Sequence, residues 1–169
     1  MKPITMAAAL ESGSYAVNST IDTNPGFRRF GRFTIRDHRN YGVMDMTEII
    51  VKSSNVGISR IATDLGGDVI RDLYARLGLG QPTGIGFPGE AVGVLPSPPK
   101  WRPVEEATLS YGYGMSVNAL QLAQAYMAIA NGGVRYPLSL VLSLIPSLRC
   151  RPATPGTCLR RARTYTTPH

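Results

Sequence analysis

Lys52-Ser53-Ser54-Asn55-Val56-Gly57 sets three small polar residues at the mouth of an apolar-periodic run, Val56, Ile58, Ile61, Ala62 and Leu65. A Ser-x-Asn triplet at a helix start can place a hydroxyl and a carboxamide side by side in a cleft, each able to donate and accept hydrogen bonds. A proton shuttle beside a nucleophile requires that pairing. Ser and Asn are also the preferred N-cap residues, and taken alone the triplet reads first as a cap.

Working outward, 169 residues with 43% hydrophobic content suffice for one core and hardly for two. The net charge of +7 is concentrated at one end. From Val134 onward there are six arginines and no acid, so residues 1–133, with 12 basic and 11 acidic groups, are near neutral. Both cysteines, Cys150 and Cys158, lie in that basic tail without a metal-type neighbour pair. The most apolar run, Leu138 to Leu148, is interrupted by Pro146 and falls short of the roughly 18 to 20 residues a membrane helix needs. No cleavable signal is read ahead of the first helix, so the chain is expected to carry neither leader nor anchor of its own.

Pro3 in a first turn followed by Ile4, Met6, Ala7, Ala8, Ala9 and Leu10 predicts a buried helix closed by Gly13, one whose beginning is expected upstream. Residues 14–40 carry strand and turn formers, with short strands expected at Tyr15-Ala16-Val17 and in a hairpin around Phe30 to Ile35. There Arg28, Arg29, Arg32, Arg36 and Arg39 interleave with Phe27, Phe30 and Phe33. That composition suits a solvated hairpin with inward aromatics, or single-stranded nucleic acid held by stacking and charge. Asp45 or Thr47 caps a short helix through Val51, and the helix after Ser53 ends at Gly66-Gly67. Asp68 is expected to cap the next, with Val69, Ile70, Leu73, Tyr74 and Leu77 on one face. Leu79 to Pro99 is a Gly/Pro loop long enough to suggest a functional wall or an interface. Trp101-Arg102-Pro103 opens a helix to Leu109, and the glycines of Ser110-Tyr111-Gly112-Tyr113-Gly114 allow close backbone approach to a ligand. Ser116 is expected to cap a helix from Val117 to Ala130, apolar almost all round and so central to a core.

Taken together, residues 1–137 resemble the transpeptidase domain of class B penicillin-binding proteins, the division-type peptidoglycan D,D-transpeptidases. The matching text is Lys2-Pro3-Ile4-Thr5 with Ala7-Ala8-Ala9-Leu10-Glu11, then Lys52 to Gly57, then Gly86-Phe87-Pro88-Gly89-Glu90. It continues through Leu95-Pro96 and Trp101 to Ser110-Tyr111-Gly112-Tyr113-Gly114 and Gln121 to Tyr126. The family works with three motifs, Ser-x-x-Lys, Ser-x-Asn and Lys-Ser/Thr-Gly. By resemblance Lys2 is the Lys of the first, which puts the nucleophilic Ser three positions ahead of it, outside this sequence. Ser53 and Asn55 match the second: the Ser53 hydroxyl relays a proton between Lys2 and the substrate amine, and the Asn55 amide holds Lys2 and the substrate peptide. Tyr111 and Gly112 are the implied substrate-binding residues. The lysines are Lys2, Lys52 and Lys100, and none precedes Ser/Thr-Gly. The resemblance fades after Pro137, and residues 138–169 read as a divergent, disordered basic tail.

The resemblance implies an α/β (α+β) fold, here mainly the helical part with most of the antiparallel sheet missing. Helix surface over Val117 to Ala130 is then expected to be exposed. It implies no cofactor and no metal, stem peptides and β-lactams as partners of the intact family, possible division-complex proteins, and the periplasmic face of the cytoplasmic membrane. A membrane contact would come only through an anchor outside this chain, and no nucleic acid is expected. Three readings follow: a transpeptidase fragment inactive by itself, an independent serine hydrolase using Ser53, and a non-catalytic division-protein interaction module.

Overall fold

Helix α1, Lys2–Glu11, is the axis of the computed structural model, which describes residues 1–86 and 88–139. Pro3 suits its first turn because a helix start has no acceptor for that N–H. The run Ile4-Thr5-Met6 with Ala8-Ala9 is buried on several sides. Ile4 and Ala8 join one cluster with Ala62, Ile70, Leu73, Tyr74, Leu79 and Leu109, whereas Met6 and Ala9 join a second with Met44, Met46, Ile49, Ile58 and Ile61. The central helix is therefore the first. Small alanines let its neighbours close in on both flanks, as dense packing requires.

The order continues with strands β1 (Thr20–Asp22), β2 (Phe27–Phe30), β3 (Phe33–Arg36) and β4 (Val43–Asp45). Helices α2 (Met46–Val51), α3 (Asn55–Leu65), α4 (Gly67–Arg76), α5 (Pro103–Leu109) and α6 (Ala119–Ala130) follow. The strands make two separate two-stranded antiparallel sheets, β1 with β4 and β2 with β3. The second is the expected hairpin, in register Phe27 opposite Arg36 and Phe30 opposite Phe33. This is a mixed helix and antiparallel-sheet fold in which most of the described secondary structure is helical. Residues 1–138 form one compact unit; the tail expected from 138 onward lies, apart from Leu138 and Ser139, outside the described residues.

Several local expectations need correction. Tyr15-Ala16-Val17 is loop, and the first strand starts at Thr20; Tyr15 is instead held by its hydroxyl, which donates to Asp64 Oδ2 at 2.7 Å. Gly66, with φ of +86°, takes the cap position of α4, and Asp68 lies in its first turn accepting the Trp101 indole N–H at 2.7 Å. Asn118, not Ser116, caps α6, with its side chain on Gln121 N and the Gln121 side chain on Asn118 N. Nor is α6 central: it gives Ala125 and Ala128 to the core, while Leu120, Tyr126 and Ile129 are about two-fifths exposed (39, 40 and 41%). Apolar patterning reports which faces need a partner, and here one face lacks it among the described residues. Phe33 is 51% exposed, so the hairpin aromatics do not all face inward.

The loop between α4 and α5 has no helix or strand among its described residues, yet it is anchored to the start of α6. Val94 and Ser116 exchange backbone bonds, buried Gln121 donates to the carbonyls of Gln81 and Val92 at 2.6 Å each, and Asn118 donates to Ala91 O at 2.8 Å.

Candidate active site

The six-residue stretch around Ser53 separates into distinct jobs. Asp45 caps α2 through Glu48 N at 2.7 Å, with Glu48 returning to Asp45 N at 3.2 Å, a capping box that fixes where the chain arrives. Ser54 caps α3: its Oγ accepts from Gly57 N at 2.8 Å, and the residue is 1% exposed. The capping reading thus accounts for Ser54 alone. Ser53 sits one residue earlier in a left-handed conformation, φ 54°, the one described non-glycine residue with positive φ. That conformation costs of order 1–2 kcal/mol for an L-residue.

Its effect is to bring the Ser53 carbonyl oxygen and hydroxyl within reach of one amine. Lys2 Nζ donates to Ser53 O at 2.5 Å and to Ser53 Oγ at 2.8 Å, across 51 residues of sequence. In its neutral form that amine has two N–H groups and one lone pair. With both N–H groups on Ser53, the lone pair is left to take a proton. Burial holds the Lys2 pKa below the ordinary lysine value, with the nearby Asp37 charge opposing in part. The net lowering is the direction that suits a base, which must shed its own proton before it can take another.

Asn55 lines the same cleft as Lys2, together with Thr34, Arg36, Thr108 and Tyr111, an open space of about 500 Å³. Its amide nitrogen donates to Arg36 O at 3.2 Å rather than to Lys2. The side-chain oxygen is thereby left for another donor. Tyr111 stands between this cleft and a second hollow of about 370 Å³ lined by Met1, Lys2, Ile50 and Ser53. Lys2 also lines both. Gly112, with φ of +97°, brings its backbone so close to Met1 that a Cβ there would lie 2.7 Å from Met1 Cγ. The positive φ is what favours glycine here, and the Met1 side chain would have to shift for any larger residue.

Two features of the site escaped sequence reading. Asp37 is the first: its Oδ1 accepts from Asn55 N at 2.6 Å and Val56 N at 3.0 Å, and its Oδ2 from the Ser54 hydroxyl at 2.6 Å. A carboxylate on the first N–H groups of α3 is stabilised by the helix dipole, and it locks the Ser53–Asn55 turn to the end of β3. A carboxylate following an arginine-rich hairpin by one residue offers no local periodicity to betray this. The second is the buried hydroxyl pair Thr5 and Tyr74, 2.7 Å apart. Thr5 Oγ1 donates to Ser110 O at 2.8 Å and the Tyr74 hydroxyl reaches Leu109 O at 3.2 Å. They tie the helix carrying Lys2 to the turn carrying Tyr111 and Gly112.

The cleft thus gathers an amine on a serine hydroxyl, a carboxamide and a glycine turn, the kinds of group that acid–base and acyl-transfer chemistry uses. Comparison with known proteins gives the family. Residues 1–157 match the penicillin binding protein transpeptidase domain, and the chain belongs to that family. Over 141 residues it is 41% identical to a probable peptidoglycan D,D-transpeptidase, PbpC, of Pseudomonas aeruginosa, covering 83% of this chain and 25% of that one. Over 140 residues it is 38% identical to the peptidoglycan D,D-transpeptidase FtsI of Escherichia coli K12, covering 83% of this chain and 24% of that one. Among solved structures, the apo transpeptidase domain of penicillin-binding protein 3 from Burkholderia pseudomallei superposes with a TM-score of 0.79 at 37% identity, covering 84% of this chain and 43% of that one. The chain therefore spans about a quarter of the length of these curated relatives.

Proposed function

We propose that this chain carries the base-and-relay half of a peptidoglycan D,D-transpeptidase site. Lys2 is the general base, Ser53 the proton relay, and Asn55 orients the substrate peptide, with Tyr111 and Gly112 as cleft wall. In the complete reaction a serine three positions ahead of Lys2 gives its proton to the Lys2 amine and attacks the carbonyl between two terminal D-alanines of a stem peptide. The C–N bond breaks, D-alanine leaves with a proton returned through Ser53, and the acyl-serine passes to an amine on a neighbouring strand. A β-lactam presents an equivalent carbonyl to the same serine. A site of this kind works at the periplasmic face of the cytoplasmic membrane, where division-complex proteins are its natural partners. Among the described residues no helix is long and apolar enough to cross a membrane.

The observation that carries this reading is the 2.8 Å contact between Lys2 Nζ and Ser53 Oγ. Neither the nucleophilic Ser nor a Lys-Ser/Thr-Gly segment is present in the 169 residues. Because nucleophile and base act as a unit, the polypeptide of this sequence alone is predicted to form no covalent penicilloyl adduct and to cross-link nothing. Intact-mass measurement after incubation with benzylpenicillin tests it, and a stable adduct refutes it. The same Lys2–Ser53 contact favours one other reading, a serine hydrolase with Ser53 as nucleophile. Labelling of Ser53 by a fluorophosphonate, abolished in Lys2→Ala, would establish that reading instead.

A further inference from the structure

The inner side of the β2–β3 hairpin meets α3 across charges of both signs that do not touch. Arg28 stands opposite Ile35 in register, and cross-strand partners share a face, so its side chain lies beside a residue that is 7% exposed. There its guanidinium donates to Thr63 Oγ1 at 3.0 Å and lies over the Phe30 ring, 4.9 Å from the centroid. On α3 the Arg60 guanidinium donates to Asn24 O at 3.1 Å, while its Nε is buried with no hydrogen-bond partner among the described residues. Burial, and after it the neighbouring Arg60 charge, hold the Arg28 pKa below the ordinary arginine value. Two carboxylates complete the group. Asp22 accepts from Asn24 N and Nδ2 at 2.9 and 2.7 Å, both on Oδ1, and Asp64 accepts from the Tyr15 hydroxyl at 2.7 Å on Oδ2. All four charged residues line one open hollow of about 410 Å³, yet none of them forms an ion pair among the described residues.

Opposite charges that share a hollow lower their energy by closing on each other. Here each is held back by a neutral partner from its own surroundings. That leaves Asp22 Oδ2, Asp64 Oδ1 and the buried Arg60 Nε–H without a hydrogen bond among the described residues, and a buried donor in that state is uncommon in a folded protein. The four charges sum to zero. A multiply charged anion would therefore meet as much repulsion as attraction, whereas a ligand with one charge of each sign is matched by all four.

We propose that this hollow binds a small zwitterion, an α-amino acid, with its carboxylate on Arg28 and Arg60 and its ammonium on Asp22 and Asp64. A carboxylate on guanidinium N–H groups and an ammonium on carboxylate oxygens both form charge-assisted bonds, the stronger class. A hollow of about 410 Å³ is at the small end of ligand sites, in keeping with a ligand of this size. None of its lining residues lines either hollow at Lys2, so the site goes beyond the transpeptidase reading and stands or falls apart from it.

The test follows amide chemical shifts of the 169-residue protein during titration. L-Alanine and D-alanine are compared with lactate, which keeps only the carboxylate, and with alaninamide, which keeps only the ammonium. Either alanine is expected to shift the amides of Asp22, Arg28 and Arg60 to Asp64 saturably, and to bind about tenfold more tightly than lactate or alaninamide. Arg60→Gln and Asp64→Asn are each expected to weaken alanine binding by about tenfold, whereas Lys100→Gln and Asp72→Asn, outside the hollow, leave it unchanged. The comparison of ligands on the unaltered protein does not depend on any variant folding. No saturable shift at these amides, or equal binding of alanine, lactate and alaninamide, overturns the inference. Tighter binding of inorganic phosphate than of alanine assigns the hollow to anions and overturns it as well. Alanine shifts confined to Lys2, Asn55 and Tyr111 overturn it in favour of the cleft.

Discussion

Replacing Asp37 by Asn tests whether one carboxylate holds the Ser53–Asn55 turn in place. The wild-type group accepts three hydrogen bonds, from Asn55 N, Val56 N and the Ser54 hydroxyl, at 2.6, 3.0 and 2.6 Å. Asn keeps an oxygen for the two backbone donors but loses the charge, and charge-assisted bonds are roughly twice as strong as neutral ones. A net bond contributes about 0.5–1.5 kcal/mol when neutral and about 1.5–3 when charged, so losing that difference once or twice costs about 1–3 kcal/mol. The lost attraction to the helix dipole adds about 0.3–1 kcal/mol. Ser54 still caps Gly57, which keeps α3 from unravelling and places the expected total near 2 kcal/mol. Urea unfolding reads that number. A second readout is independent of stability: Asp37 raises the Lys2 pKa, so its neutralisation should lower that pKa further. The lysines are Lys2, Lys52 and Lys100, which makes assignment of the Lys2 ε-carbon titration direct. A destabilisation below about 0.5 kcal/mol together with an unchanged Lys2 titration would refute the positioning role.

Thr5→Val keeps the shape of a fully buried residue but strips the donor from Ser110 O and a partner from Tyr74, and is expected to cost about 1–3 kcal/mol in urea unfolding. Tyr15→Phe is a pH experiment. Burial and the Asp64 carboxylate push the Tyr15 hydroxyl up to about 12 from 10.0, so the unfolded chain loses this proton first as pH rises. Its contribution is fully present below pH 10 and is lost on the way to pH 12; the Phe variant should show a flatter fall in stability over that window, with one tyrosinate transition fewer by absorbance. Ser53→Gly relieves the left-handed conformation and is expected to raise stability by up to about 1 kcal/mol, whereas Ser53→Ala keeps the strain and should lower it slightly in the same unfolding assay.

Helices with strong periodic faces were legible residue by residue. The apolar run from Val56 marks α3 and the Gly66-Gly67 break marks its end, whereas α4 starts at Gly67, ahead of the cap expected at Asp68. Errors arose where two residues compete for one cap. Ser116 and Asn118 both suit an N-cap, and only the tertiary bond pattern chooses: Ser116 exchanges backbone bonds with Val94, leaving Asn118 to start the helix. Apolarity misled for α6 because composition measures the need for a partner, not its presence. The central helix turned out to be α1, whose alanines look unremarkable in sequence and whose closeness to two clusters is a property of packing. Ser53 and Asn55 stand out by their Ser-x-Asn spacing and Lys2 only by the family resemblance, and the structure brings all three to one region. Asp37, Thr5 and Tyr74 were not, since a carboxylate or hydroxyl that acts through backbone groups distant in sequence leaves no spacing to count.

The Ser53 turn shows which of these features stability alone would produce. A glycine at this position would adopt φ of 54° at no steric cost, and the exposed Ser53 side chain gains little from burial. Its one side-chain bond comes from an amine that a partly solvated site would otherwise hydrate, a bond whose net contribution is small. Ser54 and Asp37 already cap α3, so the Ser53 hydroxyl is not needed to start the helix. Folding therefore gives no reason for a hydroxyl here, and the left-handed strain gives a reason against it. What the hydroxyl does provide is an oxygen 2.8 Å from a lysine whose pKa burial has lowered, at the junction of two hollows that the amine itself lines. Strain retained beside a tuned base is characteristic of a site selected for chemistry. The proposed role of Ser53 as a proton relay accounts for a hydroxyl that folding alone does not require.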